Sequence, residues 1–287
     1  MRRYFLTGCT GFLGRSIVRE LCRREDTERV LLLTRDAQRT YSFYSMDKRV
    51  QLYEGDINSC QFPTGQFTHI IHGANPPASA KSQEVYYAIV EGTERILDWA
   101  GKRGIENFLL LSSGAARGEP TSAYGRAKRM AERLVACHST TGKIARLFSF
   151  VGAGVPAQYA IGEFIFQAAN ESRVKVYGGE HVMRSYLHVE DAARWLLRIL
   201  DHGHPLTPYD VGGALPYSIL EVAKLVALKF DVPLEHEAMA REDCYLPDLN
   251  AALQIGCTTT IPLGTALERI RDEISVRNPR LEPSEAS

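Results

Sequence analysis

Residues 3–14 read RYFLTGCTGFLG, a short apolar run followed by three glycines with the spacing GxxGxxG. The run predicts a buried strand, and the residues that follow predict the start of a helix. In such a turn Gly8 permits the tight bend, Gly11 lets the backbone approach a pyrophosphate, and Gly14 lets the helix pack closely on the strand. Phosphate groups would lie at the helix N-terminus, where free N–H groups favour an anion. The predicted dinucleotide contacts in this loop are Gly8, Thr10, Gly11, Phe12, Leu13 and Gly14.

Strand-like and helix-like stretches alternate over the first half of the chain. The strand-like runs are 3–7, 29–34, 50–54, 69–73, 107–112 and 143–148, and the helix-like stretches are 13–24, 84–101 and 123–140. The runs are continuously apolar, as expected for parallel strands covered on both faces. The pattern predicts an α/β fold in residues 1–150, with a doubly wound parallel sheet of the Rossmann type. Residues 151–287 are expected to form mostly a smaller substrate-binding cap, with some segments returning to the sheet.

Composition excludes several classes of protein. The chain has 287 residues with 34 Lys plus Arg and 34 Asp plus Glu, so its formal net charge is zero. Proteins that bind nucleic acids normally have a basic excess, so we expect no nucleic-acid partner. No apolar run approaches the ~20 residues of a membrane helix, and the first strand begins too early for a signal peptide. The six cysteines are scattered without a CxxC pair, which predicts neither disulfides nor a metal site and favours a cytoplasmic location.

The end of the second strand-like run indicates which dinucleotide the loop takes. An NAD-binding fold usually has an acid about 20 residues after the glycines, which accepts a hydrogen bond from the ribose 2′-hydroxyl. This run ends Leu33-Thr34-Arg35, and the first acid is Asp36. Arg35 can pair with a 2′-phosphate through two parallel hydrogen bonds, which favours NADP(H). In the alternative, Arg35 is a surface residue and Asp36 holds the ribose of NAD(H).

Two further turns are predicted to contact the dinucleotide. Asp56 and Ile57 follow the third run, where the Asp56 carboxylate can meet the adenine amino group. Ala74 follows the fourth run, and its small side chain leaves room for the cofactor.

A serine and a Tyr-x-x-x-Lys pair form the candidate catalytic group. Ser113 follows the fifth run, and Tyr124 and Lys128 lie one turn apart on the same face of the next predicted helix. A lysine ammonium near a phenol stabilises the phenolate and lowers the phenol pKa from its usual value of about 10. A serine hydroxyl at the carboxyl edge of a strand can bind the same substrate oxygen. Together the three side chains could move a proton to or from a carbonyl or carbinol that lies over a nicotinamide ring.

The chain resembles the extended short-chain dehydrogenase/reductases, and among them the nucleotide-sugar epimerase/dehydratase family, over roughly residues 3–230. The likeness lies in TGCTGFLG (7–14), GD (55–56), HGA (72–74), VEGT (90–93), LLLSSGA (109–115), YGRAK (124–128), RLFSFVGAG (146–154), VYGGEHVMRSYLHVEDAA (176–193) and YDVGG (209–213). It implies that Ser113, Tyr124 and Lys128 are catalytic, that Ser113 also contacts the substrate, and that Tyr124 and Lys128 also contact the cofactor.

The likeness also implies two substrate contacts in the second half of the chain. Arg184 matches an arginine that grips the pyrophosphate of the nucleotide sugar, as suits a guanidinium fork. In the alternative, Arg184 forms a surface ion pair with Glu190 or Asp191. Ser149 stands where many relatives have a substrate-binding asparagine.

By this resemblance the expected activity is NADP(H)-dependent reduction of a 4-keto nucleotide sugar by hydride transfer, with Tyr124 as acid/base. A 4-epimerase that keeps NAD(P) bound uses the same three residues and stays open, as does a non-catalytic NADP-sensing protein on the same fold. Relatives that dehydrate their substrate carry an Asp-Glu pair after the serine. Gly114-Ala115 stand there in this chain, so dehydration is not expected.

The likeness further predicts a C₂ homodimer formed through the helix-like stretches 84–101 and 123–140. These stretches have more apolar positions than one face needs against a sheet, at Tyr86, Ile89, Val90, Leu97, Met130, Leu134 and Val135.

Overall fold

The computed structural model describes residues 1–44, 47–76, 82–105 and 107–277. The strands are β1 (Arg2–Thr7), β2 (Thr27–Thr34), β3 (Val50–Glu54), β4 (His69–His72), β5 (Asn107–Ser113), β6 (Lys143–Leu147), β7 (Ser149–Val151), β8 (Val174–Tyr177), β9 (His181–His188), β10 (Pro208–Val211), β11 (Pro216–Ser218), β12 (Leu234–Glu237) and β13 (Glu242–Tyr245). The helices are α1 (Phe12–Arg23), α2 (Ala37–Tyr44), α3 (Ser82–Lys102), α4 (Ala123–His138), α5 (Ala160–Asn170), α6 (Val189–His202), α7 (Ile219–Phe230), α8 (Asn250–Gln254) and α9 (Leu263–Arg277). A 3-10 turn, Gly114–Ala116, follows β5.

Seven of these strands form one parallel sheet in the order β10-β6-β5-β4-β1-β2-β3. The sheet belongs to a compact unit (unit 1) made of residues 1–147, 193–211 and 248–258. Because the strand order runs outward from β1 to one side and from β4 to the other, the connections diverge at this pair. Doubly wound sheets bind ligands at that point, beyond the carboxyl ends of the strands. The predicted α/β fold with a Rossmann-type doubly wound sheet is confirmed.

The predicted strands and helices of the first half agree with the structure to within two residues at each end. The helix α2 was not among the predicted elements. Its sequence, AQRTYSFY, has no regular apolar period, and Thr40 is its one buried residue. The Asp36 carboxylate begins this helix by accepting the backbone N–H of Arg39 at 2.8 Å.

Apolar side chains on one face of the sheet form a hydrophobic core in unit 1 with those of α3 and α4. On β1, Tyr4, Phe5 and Leu6 are at most 1% exposed. Several residues that carried the homodimer prediction are part of the same core: Ile89, Leu97 and Val135 are buried in it, and Val90 and Leu134 pack against it. This apolar surface is therefore used inside unit 1, and Tyr86 is the exposed aromatic residue that remains from the predicted set.

A second compact unit (unit 2) comprises residues 148–192, 212–247 and 259–277. It contains a sheet in the order β11-β9-β13, in which β7 also pairs with β9, and a two-stranded parallel sheet of β8 and β12. The strand β11 runs antiparallel to β9, whereas β7 and β13 run parallel to it. Side chains of α5, α7 and α9 form its hydrophobic core. Of the predicted second region, residues 193–211 and 248–258 lie in unit 1, where they supply β10 and α8.

In the described segments, no helix combines the length and apolar character that crossing a membrane requires.

Candidate functional site

The glycine-rich loop connects the carboxyl end of β1 to α1. Gly8 has a φ of +74°, and a Cβ there would lie 2.2 Å from the carbonyl oxygen of Gly73, so no larger residue fits the turn. A Cβ on Gly14 would lie 2.5 Å from the Cα of Cys9. Gly14 therefore lets the helix pack on the loop itself. The prediction that Gly14 packs against the strand is wrong.

Gly11 has a different role, because a Cβ there would meet only the Gly8 carbonyl oxygen at 3.9 Å. It is the N-cap of α1, and no side chain caps the helix at this end. The first-turn N–H groups therefore remain for an anion, and the open space at Gly11 suits the close approach of a pyrophosphate. The loop fits a dinucleotide.

A cavity of about 420 Å³ opens beside this loop at the carboxyl ends of β1 to β4. It is lined by Thr7, Gly8, Thr10, Leu33, Thr34, Arg35, Gly55, Asp56, Ile57, Asn58, Ala74, Asn75, Pro76, Glu84, Tyr87 and Ala88. Six predicted cofactor residues are in this lining: Gly8, Thr10, Arg35, Asp56, Ile57 and Ala74. The predicted contacts Gly11, Phe12, Leu13, Gly14, Tyr124 and Lys128 are not. Sequence reasoning missed Asn58, Glu84 and Tyr87, although the polar residue just after the Gly-Asp turn was a usable signal.

Arg35 and Asp36 differ in how the structure uses them. Arg35 is exposed and lines the cavity. Asp36 is outside the lining, and its carboxylate accepts the Arg39 N–H as the cap of α2. Arg35, and not Asp36, is thus the residue at the end of β2 that lines the cavity.

Two contacts that the sequence did not indicate hold α2 against the glycine loop. The Tyr44 hydroxyl donates to the Cys9 carbonyl at 2.6 Å. The guanidinium of Arg15, on the first turn of α1, lies 5.0 Å above the Phe43 ring. Its Nε is buried without a hydrogen-bond partner among the described residues, so Arg15 is a further cation near this end of the site.

A chain of buried hydrogen bonds through His72 supports one wall of the cavity. The Thr93 hydroxyl donates to the Ile89 carbonyl at 2.6 Å, so it accepts from Nε2–H of His72 at 3.1 Å. Nδ1 of His72 then accepts from the Thr7 hydroxyl at 2.7 Å, and Thr7 Oγ1 accepts the Ala74 N–H at 3.2 Å. Burial, and secondarily the charge of Lys128, lowers the pKa of His72 to about 3. A neutral imidazole therefore fixes one wall of the cavity.

Tyr124 and Lys128 lie on the first turns of α4. Lys128 is 2% exposed, donates to the Leu111 carbonyl at 2.9 Å and places its Nζ 5.8 Å from the Tyr124 ring centroid. Tyr124 itself is 36% exposed. Burial lowers the pKa of Lys128 to about 8, although the nearby Glu132 carboxylate acts in the opposite direction. The pair thus combines an accessible phenol with a cation shielded from water.

Ser113 lies at the carboxyl end of β5, where the chain turns toward α4. Its Oγ accepts the Ala115 N–H at 3.2 Å and begins the 3-10 turn. A Cβ on Gly125 would lie 2.5 Å from the Ala115 carbonyl oxygen, so glycine at this position lets the start of α4 contact the turn directly. The structure therefore brings the Ser113 turn and the Tyr124 turn together in unit 1.

The two predicted substrate contacts lie in unit 2. Ser149 is half-buried on β7, opposite Tyr186 of β9. Arg184, on β9, forms an ion pair with Asp243 and lies 5.7 Å above the Tyr245 ring. The alternative partners predicted from the sequence, Glu190 and Asp191, are therefore wrong. The Asp191 carboxylate instead accepts backbone N–H groups of Thr260 and Ile261 at 3.0 and 2.9 Å.

A sequence profile of the NAD dependent epimerase/dehydratase family matches residues 4–212. The chain belongs to this family. A UDP-glucose 4-epimerase of Pasteurella multocida is 27% identical over an alignment of 294 positions, and the match covers 82% of this chain and 85% of the relative. A UDP-glucuronic acid 4-epimerase from Bacillus cereus in complex with NAD has a TM-score of 0.81 at 18% identity and covers 96% of this chain and 99% of its own. The structure of RMD from Pseudomonas aeruginosa, complexed with NADPH, has a TM-score of 0.79 at 22% identity, and the match covers 96% of this chain and 100% of RMD.

In this epimerase/dehydratase-family protein, arginines hold the turn after Ser113. Arg117 forms an ion pair with the buried Asp210 of β10 at 2.9 Å. Arg129 donates from Nε to the Ala116 carbonyl at 2.7 Å and from Nη2 to the Gly118 carbonyl. The turn carries no carboxylate of its own, because Gly114 and Ala115 follow the serine.

Proposed function

We propose that this protein is an NADP(H)-dependent oxidoreductase that reduces a 4-keto nucleotide sugar. The observation that carries the proposal is the buried Lys128, held 5.8 Å from the ring of the accessible Tyr124. The start of α4 contacts the turn that begins at Ser113, and the cavity beside the glycine-rich loop opens in the same unit. The substrate class comes from the relatives, whose names refer to UDP-glucose and UDP-glucuronic acid.

Each of the three side chains has one task in this proposal. Tyr124 gives its phenol proton to the oxygen of the substrate carbonyl. Lys128 remains an ammonium and stabilises the phenolate, because its hydrogen bond to the Leu111 carbonyl fixes the charge near the ring. Ser113 donates a hydrogen bond to the same carbonyl oxygen and orients it. When bound, the nicotinamide dinucleotide supplies the hydride.

We propose that the dinucleotide contacts are those expected from the sequence: Gly8, Thr10, Gly11, Phe12, Leu13, Gly14, Arg35, Asp56, Ile57 and Ala74, with Tyr124 and Lys128. On the substrate side we propose Ser113, Ser149 and Arg184. A diphosphate that binds Arg184 has to share or replace Asp243, which already pairs with this guanidinium.

A 4-epimerase is the second candidate, since a relative that covers most of the chain has that name and the same three side chains would serve. A reductase releases oxidised cofactor after every turnover, whereas an epimerase can retain its cofactor. Protein that still carries NAD(P) after extensive dialysis would favour the epimerase. A non-catalytic NADP-sensing role has less support, because it would not need a cation buried beside Tyr124.

The deciding experiment is a screen of UDP- and dTDP-linked 4-keto sugars with NADPH. We expect the absorbance of the reduced nicotinamide to fall with at least one ketone. If no ketone is consumed while a UDP-hexose is converted to its 4-epimer, the protein is the epimerase instead.

Cofactor preference gives the first mutational prediction. Arg35→Ala should equalise the affinities for NADPH and NADH, because a charge-assisted bidentate contact to the 2′-phosphate contributes about 1.5–3 kcal/mol, or roughly ten- to hundredfold. Calorimetry on the wild type should show the preference for NADPH, and Arg23→Ala, on the last turn of α1, should keep it. Equal affinities in the wild type would refute the choice of NADP(H).

The oligomeric state gives a second prediction. We expect a C₂ homodimer through α3 and α4, now resting on the likeness to the family and on the exposed Tyr86, since most of the other apolar positions are in the core. Light scattering at micromolar concentration should give twice the mass of 32.0 kDa. A mass of one chain would contradict the prediction.

A further inference from the structure

A mostly buried ion pair, Glu132 with Arg146, begins one turn after Lys128 on α4. Glu132, one turn further along α4, is 6% exposed. Its Oε1 accepts the Ser112 hydroxyl at 2.6 Å and Nε of Arg146 at 2.9 Å, and its Oε2 accepts Nη2 of Arg146 at 2.7 Å. Arg146 comes from β6 and Ser112 from β5. Three elements of unit 1 thus meet at one carboxylate.

The carboxylate of the pair acts electrostatically on Lys128. Residues four apart on a helix are neighbours, so Glu132 lies next to Lys128, and its charge favours the ammonium form. Arg146 contacts the carboxylate with both fork nitrogens, and its positive charge offsets part of the effect of Glu132. In a buried environment charges of this kind act more strongly than they do in water.

The other groups around Lys128 add little charge. His72 of β4 is neutral, because burial and the lysine charge lower its pKa to about 3. The strand β5 offers the Leu111 carbonyl and the Ser112 hydroxyl. Tyr124, on the same helix, is the one other titratable group described as facing Lys128. Asp210 acts on Arg146 from β10 and is itself paired with Arg117.

We propose that Glu132 and Arg146 are a positioning pair that sets how readily Lys128 loses its proton, with Glu132 holding the ammonium form and Arg146 limiting that hold. The consequence for turnover rests on the proposed function, since it needs Lys128 to act on Tyr124. The consequence for the titration of Lys128 does not.

The charge signature can be read from three variants. Glu132→Gln removes the negative charge and leaves Arg146 unpaired, so Lys128 should lose its proton about one pH unit lower or more. Glu132→Gln combined with Arg146→Met removes both charges of the pair, so the midpoint should fall less than in the single variant. Arg146→Lys keeps the charge and should leave the midpoint near that of the wild type.

Lysine 13Cε NMR across a pH series measures the midpoint directly. The chain has eight lysines, and the Lys128 signal is identified by its absence in Lys128→Met. If the variants acted by disturbing the packing, the Lys128 midpoint of the double variant should differ most from that of the wild type. If they act through charge, the midpoint of the double variant should be closer to that of the wild type than the midpoint of Glu132→Gln is. Equal midpoints in the wild type and Glu132→Gln, or a lower midpoint in the double variant than in the single one, would overturn the inference.

Asp201→Asn is the matched control. Asp201 is also a mostly buried carboxylate bound by two arginines, Arg2 and Arg24. Arg2 is the first residue of β1, so this cluster lies at the amino ends of the parallel strands, whereas Lys128 lies near the carboxyl end of β5. This variant should lose stability without moving the Lys128 midpoint. If the midpoints shift as expected while Tyr124→Phe keeps full activity, the positioning pair stands and the proposed function fails. The alkaline limit of turnover should otherwise move to lower pH in Glu132→Gln, because the active form needs the ammonium.

Discussion

Tyr124→Phe is expected to lower turnover by about 10²–10⁴-fold, the usual effect of removing a positioned acid or base. The ring and its contact with Lys128 remain, so the fold and the affinity for the dinucleotide should hardly change. The loss should appear in kcat on the nucleotide sugar found in the ketone screen. Nothing in the turn after Ser113 replaces the hydroxyl, since Gly114 and Ala115 carry no acid.

Two further variants make this result specific. Tyr177→Phe removes the hydroxyl of an exposed tyrosine on β8 and should leave turnover unchanged. Lys128→Met should be at least as harmful as Tyr124→Phe, because it removes the cation that stabilises the phenolate. If Tyr124→Phe keeps more than about a tenth of wild-type turnover, Tyr124 is not the proton donor.

Gly8→Ala is expected to destabilise the protein by about 2–5 kcal/mol. A left-handed φ of +74° costs a residue with a Cβ about 1–3 kcal/mol, and overpacking usually costs a similar amount. The added atom would lie 2.2 Å from the Gly73 carbonyl oxygen, and backbone at that position cannot rotate away. Urea unfolding followed by circular dichroism measures the loss.

Gly11→Ala is the matched comparison in the same loop. Its Cβ would meet only the Gly8 carbonyl oxygen at 3.9 Å, so stability should fall by no more than about 1 kcal/mol, the cost of alanine at an N-cap. Dinucleotide affinity should nevertheless be lost, because the Cβ fills the space proposed for the pyrophosphate. Equal losses of stability in the two variants would contradict this division of roles.

The sequence was sufficient for the strands of the first half, for three of its helices and for six of the residues that line the cavity. Continuous apolar runs and the glycine spacing depend on local physics, so β1 and the loop after it could be predicted. The helix α2 could not, because its start depends on a cap by Asp36 and its sequence has no apolar period. That Pro208–Val211 adds to the sheet beside β6 also depends on long-range pairing, which a four-residue strand does not encode.

The sequence also did not reveal which polar side chains pair over long distances along the chain. Arg184 pairs with Asp243, 59 residues away, and the nearer acids that the sequence offered serve elsewhere. The Glu132–Arg146 pair did leave a signal, because an arginine within the buried run KIARLF needs a partner. Five of the seven apolar positions that the sequence assigned to a dimer surface belong to the core of unit 1 or pack against it. Helices that pack both on a sheet and on each other bury more than one face.

The discontinuity of unit 1 has a consequence for how the protein is made. The strand β6 ends at Leu147, and its outer neighbour β10 begins at Pro208. Roughly 60 residues must be translated in between, which takes about 3–12 s at ordinary ribosomal rates. During that interval β6 is an open edge with unpaired backbone groups, and Arg117 has no Asp210 to bind. Nascent chains that stall between these two points should therefore be the species most prone to aggregate and to recruit chaperones.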